Sequence, residues 1–140
     1  MTTPEGAPLT DVSGSPLFTL QNGKPELIGT RCSSCGTVVF PKRPQCPKCF
    51  TETMEETLLS TRGKVFSSTV LHKAPGKPFV GEVPYSIGRV ELPEQVLIEC
   101  RFSGFGEAPF PIGTEVELRA EVCGEDDEGN PLLMHTFAKA

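Results

Sequence analysis

The sequence predicts a mostly β protein, with a small metal-binding ribbon near the N-terminus followed by a closed barrel of five short strands. Three observations support this fold class. Two Cys-x-x-Cys pairs, Cys32 with Cys35 and Cys46 with Cys49, are separated by residues 36–45. From residue 58 onwards the chain contains several stretches rich in β-forming residues. Its 14 Gly and 14 Pro in 140 residues are typical of short strands joined by many turns.

The two cysteine pairs predict one four-sulfur metal site. Each Cys-x-x-Cys turn places two thiolates on one side of a tight loop, and two such loops supply the ligands of a tetrahedral ion. Gly36 follows the first pair, where a backbone bend towards the metal is easiest without a side chain. Four cysteine ligands close the coordination, so we expect one structural Zn²⁺ in a rubredoxin-like zinc ribbon. Iron takes the same ligands, and the sequence leaves the choice between zinc and iron open.

Other uses of these cysteines fit the sequence less well. Disulfides would suit a secreted chain, but the N-terminus does not resemble a secretory signal. A redox Cys-x-x-Cys would need one motif at a strand-to-helix junction, whereas two motifs occur together here. We therefore expect a reducing, cytoplasmic setting. No apolar run approaches transmembrane length, and we expect no membrane association.

The N-terminal half of the chain predicts a tail, an anchor and a hairpin that leads into the ribbon. Residues 1–15 are rich in Thr, Pro, Gly and Ser and predict a flexible tail. Residues 16–20 form a short apolar anchor, and Asn22-Gly23 is a turn signal. The polar residues 50–57 predict a hinge that leads out of the ribbon. The predicted domains are a flexible tail (1–15), a zinc ribbon with its anchor (16–57) and a barrel (58–140).

The second half of the chain predicts five antiparallel strands. Their predicted positions are residues 64–73, 84–92, 95–102, 115–122 and 132–137. Apolar and charged residues alternate most clearly at 115–122, where Val116, Leu118, Ala120 and Val122 should point inwards. Five short strands suit a small barrel better than a sandwich, which usually has about seven, and closure removes exposed edges. We predict an OB-fold barrel, with a small SH3-like barrel as the alternative.

The charge of the chain is acidic overall but unevenly distributed. A formal net charge of −5 argues against binding to a phosphate backbone as the main function. Residues 31–50 nevertheless contain Arg31, Lys42, Arg43 and Lys48 and no acidic residue. Because a four-thiolate zinc site is formally dianionic, these four cations either balance the metal centre or face a ligand.

Further motifs accompany the cysteine pairs in a fixed order. They are Gly29-Thr-Arg-Cys-Ser-Ser-Cys-Gly36, Phe40-Pro-Lys-Arg-Pro-Gln-Cys-Pro-Lys-Cys49, Ser60-Thr-Arg-Gly-Lys-Val-Phe66, Leu71-His-Lys-Ala-Pro75, Pro84-Tyr85 and Ile112-Gly-Thr-Glu-Val116. In this combination the chain resembles, over residues 17–137, the zinc-ribbon/OB-fold acyl-CoA-associated proteins, long catalogued as a domain of unknown function. The chain departs from that family at Lys42, where a second proline is usual, and at residues 102–110, which are unusually rich in Gly and Phe.

The resemblance implies an accessory role in acyl-CoA chemistry. Members of this family look like small subunits of thiolase-superfamily enzymes, such as benzoylsuccinyl-CoA-type thiolases, hydroxymethylglutaryl-CoA synthase assemblies and steroid side-chain aldolases. It implies a larger thiolase-like catalytic partner in a hetero-oligomer, with a CoA thioester as the shared substrate. The implied reaction cleaves or forms a C–C bond on a β-keto- or β-hydroxyacyl-CoA, as an acyltransferase or a lyase. The ribbon would dock on the catalytic subunit, and the barrel would shape the entrance for the CoA thioester.

Two sets of contact residues are expected within such a complex. The CoA phosphates would meet the four cations Arg31, Lys42, Arg43 and Lys48. The predicted partner contacts are Leu17, Phe18, Phe40, Phe105 and Phe110. Phe105 and Phe110 lie in a Gly/Pro loop with no regular pattern. They either face the partner or plug the open end of the barrel.

The remaining reactive side chains predict no catalysis by this chain alone. Thiolase-type chemistry uses a nucleophilic Cys beside a His or a second Cys. Cys100 falls on the apolar face of a strand and is expected in the core, Cys123 is ambiguous, and His72 and His135 are isolated. Two other functions stay open: a nucleic-acid-binding ribbon and barrel, which the net acidity disfavours, and a free-standing acyl-CoA-binding protein.

Overall fold

The structure, a computed structural model, describes residues 7–8, 16–21, 24–72, 84–103, 110–125 and 128–140. Within these ranges it contains ten strands and no helix, and hence no helix that could cross a membrane. The strands are β1 (Ala7–Pro8), β2 (Phe18–Gln21), β3 (Lys24–Cys32), β4 (Val38–Val39), β5 (Met54–Leu58), β6 (Arg62–Leu71), β7 (Tyr85–Glu91), β8 (Leu97–Ser103), β9 (Glu115–Glu125) and β10 (Pro131–Lys139).

The ribbon is built around β3, which pairs antiparallel with β2, β4 and β5. The apolar residues Leu27 and Ile28 of β3 are buried, and the strand ends at Cys32, so it delivers the first metal-binding residue. The hinge predicted at residues 50–57 is wrong in its second half. Met54–Leu58 instead forms β5, because its backbone completes the hydrogen bonding of β3.

The barrel is closed by strands that are distant in sequence. β6 pairs with both β7 and β9, β7 pairs with β8, and β10 pairs with both β8 and β9. The strand order around the ring is therefore β6-β7-β8-β10-β9, and the β8–β10 pair is parallel. The five-stranded closed barrel behind a four-cysteine ribbon confirms the predicted fold class and the OB-fold choice over the SH3-like alternative.

The alternating pattern of the strands places the barrel core as predicted, with one exception. Val96, Ile98, Cys100 and Phe102 all point inwards and are buried. Val122, predicted to point inwards, is half exposed instead. The register between β9 and β10 shifts beside this position, so the inward alternation does not reach the end of β9.

The ribbon and the barrel share one hydrophobic core. Leu17, Phe18 and Leu27 of the ribbon belong to the same buried cluster as the barrel residues. The N–H of Leu59 donates to the carbonyl of Leu27 at 3.0 Å, which ties the connecting segment to β3. Leu17 and Phe18 were predicted as partner contacts. Their side chains are 8% and 0% exposed, so they pack within this chain and we do not carry them into the proposed interface.

Part of the predicted N-terminal tail pairs with the barrel. β1 runs parallel to the start of β10, with Ala7 opposite Leu132 and Pro8 opposite Leu133. The other residues of the segment 1–15 lie outside the described ranges. The N-terminal segment therefore extends the barrel sheet at one edge of β10.

Candidate metal centre and adjoining groove

The first metal-binding loop runs from Cys32 to Thr37. The N–H of Cys32 donates to the carbonyl of Thr37 at 2.9 Å, and the N–H of Gly36 donates to the carbonyl of Cys32 at 2.8 Å. Gly36 has φ +80°, a left-handed conformation that glycine adopts without steric penalty. This confirms the bend predicted after the first cysteine pair.

The second metal-binding loop repeats the first, bond for bond. The N–H of Cys46 donates to the carbonyl of Thr51 at 2.9 Å, and the N–H of Phe50 donates to the carbonyl of Cys46 at 2.9 Å. Phe50 occupies the position of Gly36 and has φ +63°. The amide of Gln45 donates to the carbonyl of Phe50 at 2.9 Å and holds this turn in place.

The four predicted sulfur ligands lie together. All four Sγ atoms lie within 4.8 Å of one another, with Cys32 and Cys49 separated by 3.5 Å and Cys35 and Cys46 by 3.6 Å. Zn–S bonds of about 2.3 Å in a tetrahedron imply S···S separations of about 3.8 Å. The donor set therefore fits Zn²⁺, and four cysteines leave no ligand position for substrate, as in a structural site.

Three threonine hydroxyl groups surround the sulfur cluster. Thr37 Oγ1 lies 3.1 Å from Cys35 Sγ, and Thr51 Oγ1 lies 3.0 Å from Cys49 Sγ. Thr53 Oγ1 lies 3.3 Å from Cys32 Sγ and 2.7 Å from Thr51 Oγ1. Sequence reasoning missed these residues. For Thr37 and Thr51 the available signal was a threonine two positions after the second cysteine of each pair, whereas Thr53 had no such signal.

Hydrogen bonding favours the thiolate form of one cysteine in each loop, Cys32 and Cys46. The hydroxyl of Thr53, followed by the backbone N–H of Cys35, lowers the pKa of Cys32 to about 5. Backbone hydrogen bonding at Cys49 lowers the pKa of Cys46 as well. Despite its hydrogen bonds from Thr51, the pKa of Cys49 is raised instead, because burial and the neighbouring sulfurs of Cys32 and Cys46 outweigh those bonds. Because a metal binds the deprotonated thiolate, one cysteine in each loop is thus prepared for ligation by its hydrogen bonds.

The four predicted CoA-phosphate contacts all lie on the ribbon. Arg31, Arg43 and Lys48 are exposed. Lys42 is more enclosed, and its Nζ lies 3.3 Å from Glu56 Oε2 in an ion pair. The backbone of Arg43 is held by Thr30, whose Oγ1 accepts from the Arg43 N–H at 3.2 Å. The role of these cations in binding CoA stays a prediction.

A groove of about 950 Å³ adjoins the ribbon at the outer face of the barrel. Phe40 and Pro41 of the ribbon form one wall, and outward-facing residues of β6, β7 and β8 form the floor. The Arg101 guanidinium lies 4.8 Å from the centroid of the Tyr85 ring. The size of the groove and its mixed apolar and cationic lining are those of a small-molecule binding site.

Two potentially reactive side chains of the barrel, Cys100 and His135, are buried. Cys100 lies in the core, as predicted, and burial raises the pKa of its thiol to about 12, so it is not a thiolate at neutral pH. His135 is 4% exposed, and burial lowers its pKa. His72 is exposed, and the side chain of Cys123 lies outside the described part of the chain.

The remaining predicted partner contacts fall in different environments. Phe40 is half-buried, and its ring meets the His135 ring edge-on at a centroid distance of 5.5 Å. Phe110 is also half-buried and packs on Phe102 at 5.2 Å, a contact that a residue plugging the barrel would make. Phe105 lies outside the described residues.

Comparisons with known proteins match both parts of the chain. The ChsH2 rubredoxin-like zinc ribbon domain matches residues 23–55, and the ChsH2 C-terminal OB-fold domain matches residues 56–121. A DUF35 domain-containing scaffold protein of Methanocaldococcus jannaschii is 43% identical over 74% of this chain and 74% of its own length. The benzoylsuccinyl-CoA thiolase subunit BbsA of Thauera aromatica is 35% identical over 82% of this chain and 77% of its own.

A solved structure has the same architecture. The Ltp2-ChsH2(DUF35) aldolase matches with a TM-score of 0.65 and 29% identity, covering 81% of this chain and 84% of that one. The two family-model matches together cover residues 23–121, which contain the four-cysteine ribbon and the barrel strands β6, β7, β8 and most of β9. The chain belongs to the DUF35 family, with the zinc ribbon and OB-fold domains of the ChsH2 type.

Proposed function

We propose that this chain is a non-catalytic, zinc-containing subunit of a thiolase-superfamily complex that acts on acyl-CoA substrates. It docks on a larger catalytic subunit and shapes the approach to that subunit's active site. The complex cleaves or forms a C–C bond on a β-keto- or β-hydroxyacyl-CoA. The metal has a structural role, since its four cysteine ligands leave no position for substrate.

One observation carries the proposal. Two relatives associated with different reactions, a thiolase subunit and an aldolase, match this chain over 82% and 81% of its length. The feature that they share with it is the ribbon and barrel as a whole. An accessory subunit is expected to keep one architecture in complexes that catalyse different reactions. The reacting groups of each complex then belong to the catalytic partner.

The environment of the cysteines supports a non-catalytic role. Four cysteines converge on the metal centre, and Cys100 is buried with a raised pKa. Neither environment supplies the exposed thiolate that a thiolase nucleophile requires. Within the described ranges, His135 packs between the rings of Phe18 and Phe40, and its Nε2 is hydrogen-bonded to the backbone carbonyl of Glu99. This environment leaves His135 unsuited to act as a general base.

The shared substrate would meet the ribbon and the groove. The CoA phosphates are assigned to the exposed cations Arg31, Arg43 and Lys48, with Lys42 partly engaged by Glu56. The groove beside Phe40 provides an apolar surface next to this basic segment. This combination suits a ligand with an anionic end and a long, less polar arm.

Nucleic-acid binding is the alternative, because the outer face of β7 and β8 is the surface that OB folds present to oligonucleotides. Tyr85 and Arg101 lie on this face. Against it, Arg89 is paired with Glu99 at 3.1 Å, and the chain carries a net charge of −5. A salt-sensitive, submicromolar affinity for single-stranded DNA or RNA would favour this alternative over ours.

The test is co-expression with a candidate thiolase-superfamily catalytic subunit from the same organism. We expect the two proteins to co-purify, and we expect turnover of an acyl-CoA only when both are present. Size-exclusion chromatography and a CoA-release assay measure the two effects. Turnover by this chain alone, or full activity of the larger protein without it, would contradict the proposal.

A further inference from the structure

Phe50 combines a left-handed backbone with an exposed aromatic ring. Its φ is +63°, and its side chain is 71% exposed at the tip of the second metal-binding loop. The equivalent position in the first loop is Gly36, with φ +80° and the same hydrogen bond back to the first cysteine of its pair. The two loops thus share a backbone design but differ in whether an aromatic ring stands at this position.

The ring at position 50 does not serve the fold of the ribbon. A left-handed conformation is unfavourable for a residue with a Cβ atom, so glycine would suit the backbone better, as Gly36 demonstrates. The side chain does not belong to the hydrophobic core, and the ring contacts found among the described residues do not involve it. A strained backbone that carries an unburied aromatic ring points to a function outside the fold.

The surrounding bonds hold Phe50 in a fixed position. Its N–H donates to the carbonyl of Cys46 and its carbonyl accepts from Gln45, each at 2.9 Å. Cys49, the preceding residue, is a metal ligand. The ring is therefore carried by a short loop whose backbone is fixed by hydrogen bonds and by the metal site. Less conformational entropy of the loop is then lost on binding.

We propose that Phe50 is a contact residue that inserts into an apolar pocket on the catalytic subunit. This assignment rests on the proposed function and names the surface through which the ribbon docks. Aromatic residues are enriched among those that dominate binding energy at protein interfaces. The pocket would exclude water from the ring that this chain leaves exposed.

The charged side chains around Phe50 are of both signs. Residues 31–50 contain four cations and no acidic residue, and Lys48 is exposed two positions before Phe50. Glu52 is exposed two positions after Phe50. Lys42 is paired with Glu56, and a four-thiolate zinc centre is formally dianionic, so the ribbon tip carries no excess of positive charge. The apolar ring is therefore the feature that the pocket on the catalytic subunit recognises. A nucleic acid is a poorer fit, because single strands are bound by a series of stacked aromatic residues on a basic surface.

The test compares binding of single-site variants to the co-expressed catalytic subunit. Phe50→Gly removes the ring and suits the backbone, so it should keep one zinc per chain and a melting temperature no lower than wild type. Its Kd for the catalytic subunit should rise by about tenfold or more. Phe50→Tyr keeps the ring and should remain within about threefold of wild type. Ile112→Ser removes an apolar side chain that is 78% exposed on the barrel and should leave the Kd unchanged.

Three results would overturn the assignment. An unchanged Kd for Phe50→Gly places the contact elsewhere on the chain. Loss of zinc by both Phe50→Gly and Phe50→Asn, a second residue that tolerates this conformation, would show that the ring serves the ribbon itself. Binding of single-stranded oligonucleotide that is lost in Phe50→Gly would replace the protein partner by nucleic acid. If the wild-type chain does not bind the catalytic subunit, the proposed function fails as well, whereas an unaffected variant contradicts only the role of Phe50.

Discussion

The Nε2 atom of His135 lies 2.8 Å from the backbone carbonyl oxygen of Glu99. Because a carbonyl only accepts, Nε2 carries the proton and donates. The parallel β8–β10 pairing begins at Arg101 and Thr136, so Glu99 lies just before its first residue pair. The imidazole thus supplies a hydrogen bond at the point where the two strands diverge. The rings of Phe18 and Phe40 meet it edge-on, which joins the ribbon to the barrel at the same residue.

Replacing His135 by alanine should destabilise the whole chain. The variant leaves a cavity between the ribbon and the barrel and a buried carbonyl without its donor. We expect the free energy of unfolding to fall by about 2–4 kcal/mol. Urea denaturation followed by circular dichroism measures this change. His72→Ala, which alters an exposed histidine, is the matched control and should be close to neutral. An equal effect of the two substitutions would refute the role given to His135.

The same residue predicts a dependence of stability on pH. Burial holds the pKa of His135 below its ordinary value of 6.5. Below about pH 6.5 the unfolded chain therefore binds a proton that the folded chain does not. The stabilisation is complete above that pH and declines as the pH falls towards the folded-state pKa. Melting temperatures from pH 8 to pH 5 should fall more steeply for the wild type than for His135→Gln. Zinc release affects both proteins, so parallel curves would contradict this prediction.

Removing one sulfur ligand should abolish metal binding. Cys46→Ser leaves three sulfur ligands for a tetrahedral ion, and the ribbon loops lose the bond that joins them. We expect less than about a tenth of the wild-type zinc content by elemental analysis, together with a lower melting temperature. Cys100→Ala removes a thiol in the barrel core and should retain full zinc. Full zinc content in Cys46→Ser would contradict the assignment of the ligands.

The threonine hydroxyls should slow the loss of zinc. Thr51 and Thr53 contact the sulfurs of Cys49 and Cys32, and such outer partners commonly alter metal affinity by about 10–100-fold. We expect Thr51→Val/Thr53→Val to transfer zinc to a chromogenic chelator about tenfold faster than wild type. Thr69→Val, which makes the same change at an exposed position on β6, is the control. Equal transfer rates for all three proteins would show that the hydroxyls do not stabilise the thiolates.

Local sequence was sufficient to predict the metal ligands and most of the strands. A Cys-x-x-Cys turn brings its two sulfurs together through its own backbone, so Cys32, Cys35, Cys46 and Cys49 could be assigned without tertiary contacts. Alternation along a strand is equally local, because successive side chains point to opposite faces. For that reason the inward positions of Val96, Ile98, Cys100 and Phe102 followed from the order of residues alone.

Tertiary structure decided which residues meet across the chain. Phe18 looked like an exposed anchor, but β2 pairs with β3 and carries its ring into the shared core. Thr53 reaches Cys32 because β5 folds back on β3, a pairing that no local pattern predicted. The left-handed turn at Phe50 was hidden for a different reason, since the residue there lacks the glycine that usually marks it. Each of these features depends on contacts between distant segments or on strain imposed by a metal loop, whereas the correct predictions depended only on neighbouring residues.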